Sequence, residues 1–184
     1  MAAGPGTSSA PRASVLLYLD QNYLSGIAKG KPAFRELEPV LRRAVAAGAV
    51  AVPESAVHEA ESAPRPDLRL LELLRELSGG LRLEEPPGAE RRAIERRLRD
   101  AMRRELPDRR DQPGDDADVR ALATALPRCR LLTCDAFMAD VMRRARLDRR
   151  YGAELFTGRR SDVLRLRARL LALLEGPDPL SRAD

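Results

Sequence analysis

Two aspartates directly follow short apolar segments. Burying a carboxylate at such a place costs free energy, so its presence suggests a function. Asp20 follows the apolar residues 15–19, and Asp135 follows the stretch "LLTC". Short apolar strands of this kind form parallel sheets, and ligands bind beyond the carboxyl ends of such strands. Two further groups of acids fall where the chain should return to the same edge: Glu59 and Glu61 in "SAVHEAE", and Asp115, Asp116 and Asp118 in "GDDADVR".

Acids gathered at one edge suggest a cation. Neighbouring carboxylates repel one another unless they bind protons or a positive ion, and a hard divalent ion such as Mg²⁺ or Mn²⁺ prefers oxygen ligands. His58 is the single histidine, and the two cysteines, Cys129 and Cys134, do not have the spacing of a zinc site. A glycine-rich phosphate loop and a nucleophile elbow are both missing from the sequence. Metal-assisted hydrolysis of a phosphodiester, with one or two ions, is the chemistry that remains.

The elements that must position these acids alternate along the chain. Apolar runs predict short strands at residues 15–19, 49–53 and 129–135. Helical spacing predicts helices at about residues 23–30, 32–48, 54–62, 67–80, 90–106, 117–128, 136–147 and 161–176, the last capped by Ser161 and Gly176. The alternation predicts an α/β fold with a parallel sheet covered on both faces. Residues 14–176 would form this single domain, between a disordered Gly/Pro/Ser-rich tail at 1–13 and a short tail at 177–184.

The amino-acid composition indicates which kind of partner and which cellular compartment to expect. The 184 residues carry a formal charge of +5, and nearly all the basic residues are arginine. Arginines are frequent in the predicted helix at 90–106, and four of them could face RNA phosphates: Arg92, Arg96, Arg103 and Arg104. The alternative is a solvated helix face, on which the arginines would form ion pairs with Glu95, Asp100 and Glu105. Two cysteines, no signal peptide and no long apolar run predict a soluble protein of the reducing cytoplasm.

Four stretches, in this order, resemble the motifs of the PIN-domain nucleases. "LYLDQN" resembles the first motif, in which Asp20 would bind the metal and Asn22 would hydrogen-bond to it. The register of "SAVHEAE" makes Glu61 rather than Glu59 the second ligand, and puts His58 at a position usually held by Thr, where it would either approach the substrate or cap the helix. "DVRALATAL" supplies Asp118, with Asp115 and Asp116 as rivals, and "LLTCD" supplies Thr133 as an orienting group and Asp135 as the fourth acid.

The resemblance implies a three-layer α/β/α sandwich and Mg²⁺- or Mn²⁺-dependent cleavage, usually of RNA although DNA stays open. Asp20, Glu61, Asp118 and Asp135 would be both the metal ligands and the catalytic residues. Many small members are toxins of toxin–antitoxin pairs and many dimerise, so an antitoxin protein and a homodimer are expected partners. Residues 78–113 would be an added helical insertion. The alternative is a catalytically inactive PIN-like module that binds nucleic acid or a protein.

Overall fold

The computed structural model describes residues 14–62, 69–105, 108, 112 and 114–176, without the side chains of Glu61, Ser62 and Glu105. Both predicted tails therefore lie outside the described residues. Within these ranges the chain forms four strands and nine helices: β1 (Val15–Tyr18), α1 (Gln21–Ala28), α2 (Pro32–Ala46), β2 (Val50–Ala51), α3 (Ala56–Ser62), α4 (Leu70–Ser78), α5 (Gly88–Glu105), α6 (Asp115–Ala125), β3 (Leu131–Thr133), α7 (Ala136–Arg144), α8 (Leu147–Tyr151), β4 (Glu154–Phe156) and α9 (Arg160–Glu175).

The strands form one parallel sheet in the order β2-β1-β3-β4. Leu17 and Tyr18 of β1 pair with Leu131 and Leu132 of β3. The chain builds β2 on one side of β1 and then crosses to β3 on the other side, so the strand order reverses between β1 and β3. In open parallel sheets, this reversal leaves a crevice beyond the carboxyl ends of the two strands. The predicted α/β class with a parallel sheet is confirmed.

Helices pack against both faces of the sheet because neighbouring strand residues point in opposite directions. Leu17 and Leu131 face a core shared with α1, α2, α4 and α9. Tyr18 and Leu132 face a second core shared with α5, α6 and α7. The segment 78–113 contributes to this second core, because Ile94 of α5 is buried there together with Leu98 and Ala101. Helix α5 therefore belongs to the second core, where it packs against α6 and α7.

Two features near the carboxyl terminus differ from the sequence prediction. The short strand β4 was missed, because three residues are too few to show a period. Ser161 is not the cap of the last helix: α9 begins at Arg160, with Arg159 at the cap position and no capping bond from its side chain. The nearby carboxylate of Asp162 instead accepts hydrogen bonds from the backbone N and the Oγ1 of Thr157, at 2.9 and 2.6 Å. Gly176 caps the end of α9 as predicted.

None of the helices within the described ranges combines the length and the apolar character that crossing a membrane requires.

Candidate functional site

Asp20 and Asp135 occupy equivalent places in the fold, each between a strand and the first residue of the next helix. The side chain of Asp20 caps α1 by accepting a hydrogen bond from Tyr23 N at 3.1 Å. Asp135 caps α7 in the same way, through Met138 N at 2.6 Å. Helix amino termini carry partial positive charge, so each carboxylate is stabilised where it stands. Since β1 and β3 are adjacent, both acids lie at the crevice where the strand order reverses.

Two neighbours fix the orientation of Asp20. Thr133 Oγ1 accepts from Asp20 N at 2.6 Å and donates to Asp20 Oδ1 at 2.9 Å. Asn22 Nδ2 donates to the other carboxylate oxygen, Oδ2, at 3.1 Å. The hydrogen-bonding roles expected of Asn22 and Thr133 are therefore present. Because Thr133 belongs to β3, its hydroxyl also ties the end of one strand to the end of its neighbour.

Asp118, in the first turn of α6, faces the same crevice. Together with Asp20, Asn22 and Thr133 it lines a cavity of about 70 Å³. Burial, and then the charges of Asp135, Asp20 and Asp115, raise the pKa of Asp118 to about 6. Burial also raises the pKa of Asp20, with a contribution from the Asp135 charge, although the hydrogen bonds from Tyr23, Thr133 and Asn22 oppose it. The charges of Asp20, Asp118 and Asp135 therefore act on one another.

The donors at this crevice suit a hard divalent ion in type. They are carboxylate oxygens that repel one another, and such a set gains stability when a cation arrives. Within the described side chains, however, no three of the His, Cys, Asp and Glu residues form a group arranged to hold a metal ion. Glu61 belongs to α3, but its side chain lies outside the described residues. Cys134 lines the cavity, and burial followed by the charges of Asp20 and Asp135 raises the pKa of its thiol well above the ordinary value, which keeps it protonated.

The three rival acids have other partners. Glu59 forms an ion pair with Arg82 at 3.1 Å on the surface. Asp116 forms an exposed ion pair with Arg99 at 2.6 Å. Asp115 is buried and its Oδ2 accepts from the backbone N of Gln112 at 2.7 Å, at the start of α6. The structure thus brings Asp20, Asp118 and Asp135 to the crevice. Glu59 and Asp116 form ion pairs at the surface, whereas Asp115 bonds to Gln112 and its charge still acts on Asp118.

His58 links α3 to the end of β1. Its Nδ1 accepts from Ser55 N at 3.0 Å, so the proton is on Nε2, which donates to the carbonyl of Leu19 at 2.7 Å. The ring stacks on Tyr18, with centroids 4.7 Å apart. Burial lowers the pKa of His58, and hydrogen bonding to Leu19 and the Glu54 charge oppose that effect. With both ring nitrogens hydrogen-bonded and the ring buried, His58 caps the start of α3 and packs against Tyr18 in this structure.

The four arginines predicted to face RNA all belong to α5. Arg92 lines a groove between α3, α5 and α6. Arg103 and Arg104 line a shallow depression with Asp100, and Arg103 pairs with Asp100 at 3.7 Å. Arg96 is exposed on α5. Of the acids in the alternative interpretation, Asp100 and Glu95 form the expected pairs, the latter with Arg91 at 3.7 Å, while the Glu105 side chain lies outside the described part of the helix.

Two residues that line the cavity or the neighbouring groove, Tyr18 and Arg120, were not predicted from the sequence. Tyr18 lines the cavity, and its hydroxyl lies 3.5 Å from Ser55 Oγ. Arg120 lines the groove beside Arg92. A signal for Tyr18 was present, since strand alternation places it on the opposite face from Leu17. The signal for Arg120 was its spacing from Ala117 and Thr124, which puts the three on one face of α6.

The crevice at the carboxyl edge of the parallel sheet thus gathers carboxylates, of which Asp20 and Asp135 are held by two helix termini and Asp20 also by Thr133. No family model, curated protein or solved structure matches this chain.

Proposed function

We propose that this chain is a metal-dependent endoribonuclease with a PIN-like three-layer fold, which hydrolyses RNA phosphodiester bonds with the help of Mg²⁺ or Mn²⁺. The observation that carries the proposal is the convergence of Asp20, Asp118 and Asp135 at the reversal of strand order. Burial and mutual repulsion raise the pKa of Asp118 to about 6. A half-buried cluster of carboxylates is unfavourable by itself and becomes favourable around a divalent cation.

Each residue has a part in this proposal. Asp20, Asp118, Asp135 and Glu61 would hold the ion, with water completing its ligands. When bound, such an ion supplies an activated water and offsets the charge that builds up on the phosphate oxygens. Thr133 and Asn22 hold the Asp20 carboxylate in one orientation through the bonds described above. His58 fastens α3, which carries Glu61, to the end of β1.

The partners follow from the resemblance and stay predictions. RNA is the proposed substrate, and DNA is the alternative polymer with the same scissile bond. An antitoxin protein and a homodimer belong to the proposal because many small PIN-domain nucleases have them. A short reading frame immediately beside the gene would support the toxin assignment.

Substitution of the two capping aspartates tests the proposal. Asn caps helices about as well as Asp, so Asp20→Asn and Asp135→Asn should fold normally. Cleavage of a fluorescent RNA in Mn²⁺ should fall by more than the roughly 10–100-fold expected for loss of a residue that only supports a ligand. The matched control is Asp140→Asn, because Asp140 is exposed on α7 and pairs with Arg144 at 2.7 Å. Cleavage that survives chelation by EDTA, or that survives in both capping variants, would sink the assignment.

A second candidate is a catalytically inactive PIN-like module that binds nucleic acid or a protein. The observation that favours it is that no group of three potential ligands is arranged for a metal among the described side chains. It predicts RNA binding without Mn²⁺-dependent cleavage and without a Mn²⁺-dependent rise in melting temperature, so the same experiments separate the two.

A further inference from the structure

The acidic cavity is too small to hold the substrate itself. Its volume of about 70 Å³ has room for a few water molecules, each of which occupies roughly 30 Å³ in the liquid. A scissile phosphate can reach the mouth of such a cavity, but the attached nucleotides need another surface close by.

A larger groove lies beside the cavity and shares a wall with it. The groove runs between α3, α5 and α6 and has a volume of about 500 Å³, within the roughly 300–1,000 Å³ typical of ligand clefts. Helix α6 lines both: Asp118 faces the cavity, whereas Ala117, Arg120 and Thr124 face the groove. The two also meet at Tyr18 of the cavity, whose hydroxyl lies 3.5 Å from the Oγ of Ser55 in the groove.

The charges along the groove favour an anionic ligand. Arg91 is compensated, since it lies 2.7 Å from Glu85 and 3.7 Å from Glu95. Arg92 and Arg120 are exposed and form no ion pair with any residue in the described ranges. Guanidinium groups match the geometry of phosphate oxygens and bind them through paired hydrogen bonds. The groove therefore contains two exposed guanidinium groups that could bind phosphates of an anionic chain lying in it.

The walls between these arginines are apolar and favour a single strand over a duplex. Ala56, Val57, Leu83 and Ala117 line the groove. The unpaired bases of a single strand expose apolar faces that such walls can cover, whereas an RNA duplex is recognised mainly through its shape, phosphates and 2′-hydroxyls. We propose that the groove between α3, α5 and α6 binds the single-stranded RNA that flanks the scissile phosphate, with Arg92 and Arg120 on its phosphates. This inference rests on the proposed nuclease function and names its substrate and the path of that substrate.

The test measures binding in EDTA, so that its outcome does not depend on cleavage. The probe is a fluorescein-labelled single-stranded oligouridylate of about 12 nucleotides, within the usual site sizes for single strands. The double variant Arg92→Glu/Arg120→Glu is compared with Arg35→Glu/Arg97→Glu, which changes the net charge equally at two exposed arginines outside the groove. Arg97 lies on the same helix as Arg92, which controls for the change in α5 itself.

The groove variant should bind the probe at least about tenfold more weakly, and the slope of log K against log salt should shrink by roughly 1.4, about 0.7 for each lost phosphate contact. The control variant should bind the probe as tightly as wild type does, and all the proteins should have the same melting temperature.

Three binding results would overturn the proposal: equal binding by both variants, equal loss of binding in both, or no binding by wild type. Preference for an RNA hairpin duplex would also overturn it, as would oligoglutamate competing as well as RNA, since that points to an acidic peptide site. If wild type binds the probe in the groove yet never cleaves RNA, the nuclease assignment falls and the groove stands.

Discussion

Replacing Asp118 by Asn should stabilise the metal-free protein and weaken its response to metal. Asp118 has a pKa raised from 3.8 to about 6, first by burial and then by Asp135, Asp20 and Asp115. A raised carboxyl pKa means that the folded state holds the proton more tightly than the unfolded chain does. The resulting penalty is absent below about pH 4, grows through the interval between the two pKa values, and is complete above about pH 6. An amide has no such penalty.

The size of the effect follows from that difference in pKa. A rise from 3.8 to about 6 corresponds to about 3 kcal/mol at 1.36 kcal/mol per pH unit. Asp118 is only half-buried, and solvent screening reduces the figure to about 1–1.5 kcal/mol. In a protein of this size, that gain raises the melting temperature by roughly 2–6 °C.

The assay is chemical and thermal unfolding at about pH 5 and about pH 8, in EDTA and then in excess Mn²⁺. Asp116→Asn is the matched control, because Asp116 stands in the same first turn of α6 but faces solvent and pairs with Arg99. Both variants lose a similar interaction with the helix dipole, so their difference isolates the crevice. In EDTA, the melting temperature of Asp118→Asn should exceed that of wild type at the higher pH. The excess should be about half as large at the lower pH, which lies midway between the two pKa values. In Mn²⁺ at 100 times its Kd, wild type should gain about 2.7 kcal/mol and Asp118→Asn distinctly less.

Two results would refute this reasoning. If Asp118→Asn in EDTA gains no more stability with rising pH than Asp116→Asn does, the carboxylates do not repel one another as described. If Mn²⁺ stabilises wild type and both variants equally, Asp118 does not belong to a cation site.

Two further predictions concern the residues around Asp20. Thr133→Val removes a buried hydroxyl that bonds both the N and the Oδ1 of Asp20, so unfolding in urea should show a loss of about 1–3 kcal/mol that Thr133→Ser recovers; equal stability of the Val and Ser variants would contradict this. His58 is the only histidine, so its proton resonances in an NMR titration of the untagged protein are unambiguous, and its pKa should lie below 6.5 because the ring is buried. The unfolded chain then binds a proton that the folded one does not, so stability should fall as the pH drops below about 6.5, and His58→Gln should lessen that fall; a titration at or above 6.5 would count against the described contacts.

The sequence predicted the parts of the site that depend on strand ends. Asp20 and Asp135 were found because an apolar run followed by an acid is an unusual local pattern, and the parallel sheet brings such ends together. Local patterns sufficed for Asp20 and Asp135 because pairing of β1 with β3 brings the ends of the two strands together. Asn22 and Thr133 were expected only from the resemblance to the PIN-domain motifs, in which each lies two residues from one of those acids.

Other features depend on contacts that no local pattern contains. His58 bonds the carbonyl of Leu19, 39 positions earlier, so its role appears only once α3 packs beside β1. Three aspartates lie within four positions at the start of α6: Asp115, Asp116 and Asp118. Only the helix face that each occupies distinguishes the one at the crevice from the other two. Ser161 looked like a helix cap, but the structure begins α9 one residue earlier and binds Thr157 through Asp162 instead. Strand β4 has three residues, too few for a period, and depends on pairing with β3.

The capping role of Asp20 and Asp135 has a consequence for how such a protein could lose the proposed nuclease activity. Each side chain accepts a hydrogen bond from a backbone N–H in the first turn of a helix, and Asn, Ser and Thr cap helices nearly as well as Asp does. A single G-to-A change in the first position of either codon turns Asp into Asn and leaves the helix capped. Selection for a folded protein would accept that change, so inactive descendants of this chain should accumulate Asn at these positions rather than unfold. A search for silenced copies should therefore read these two codons first.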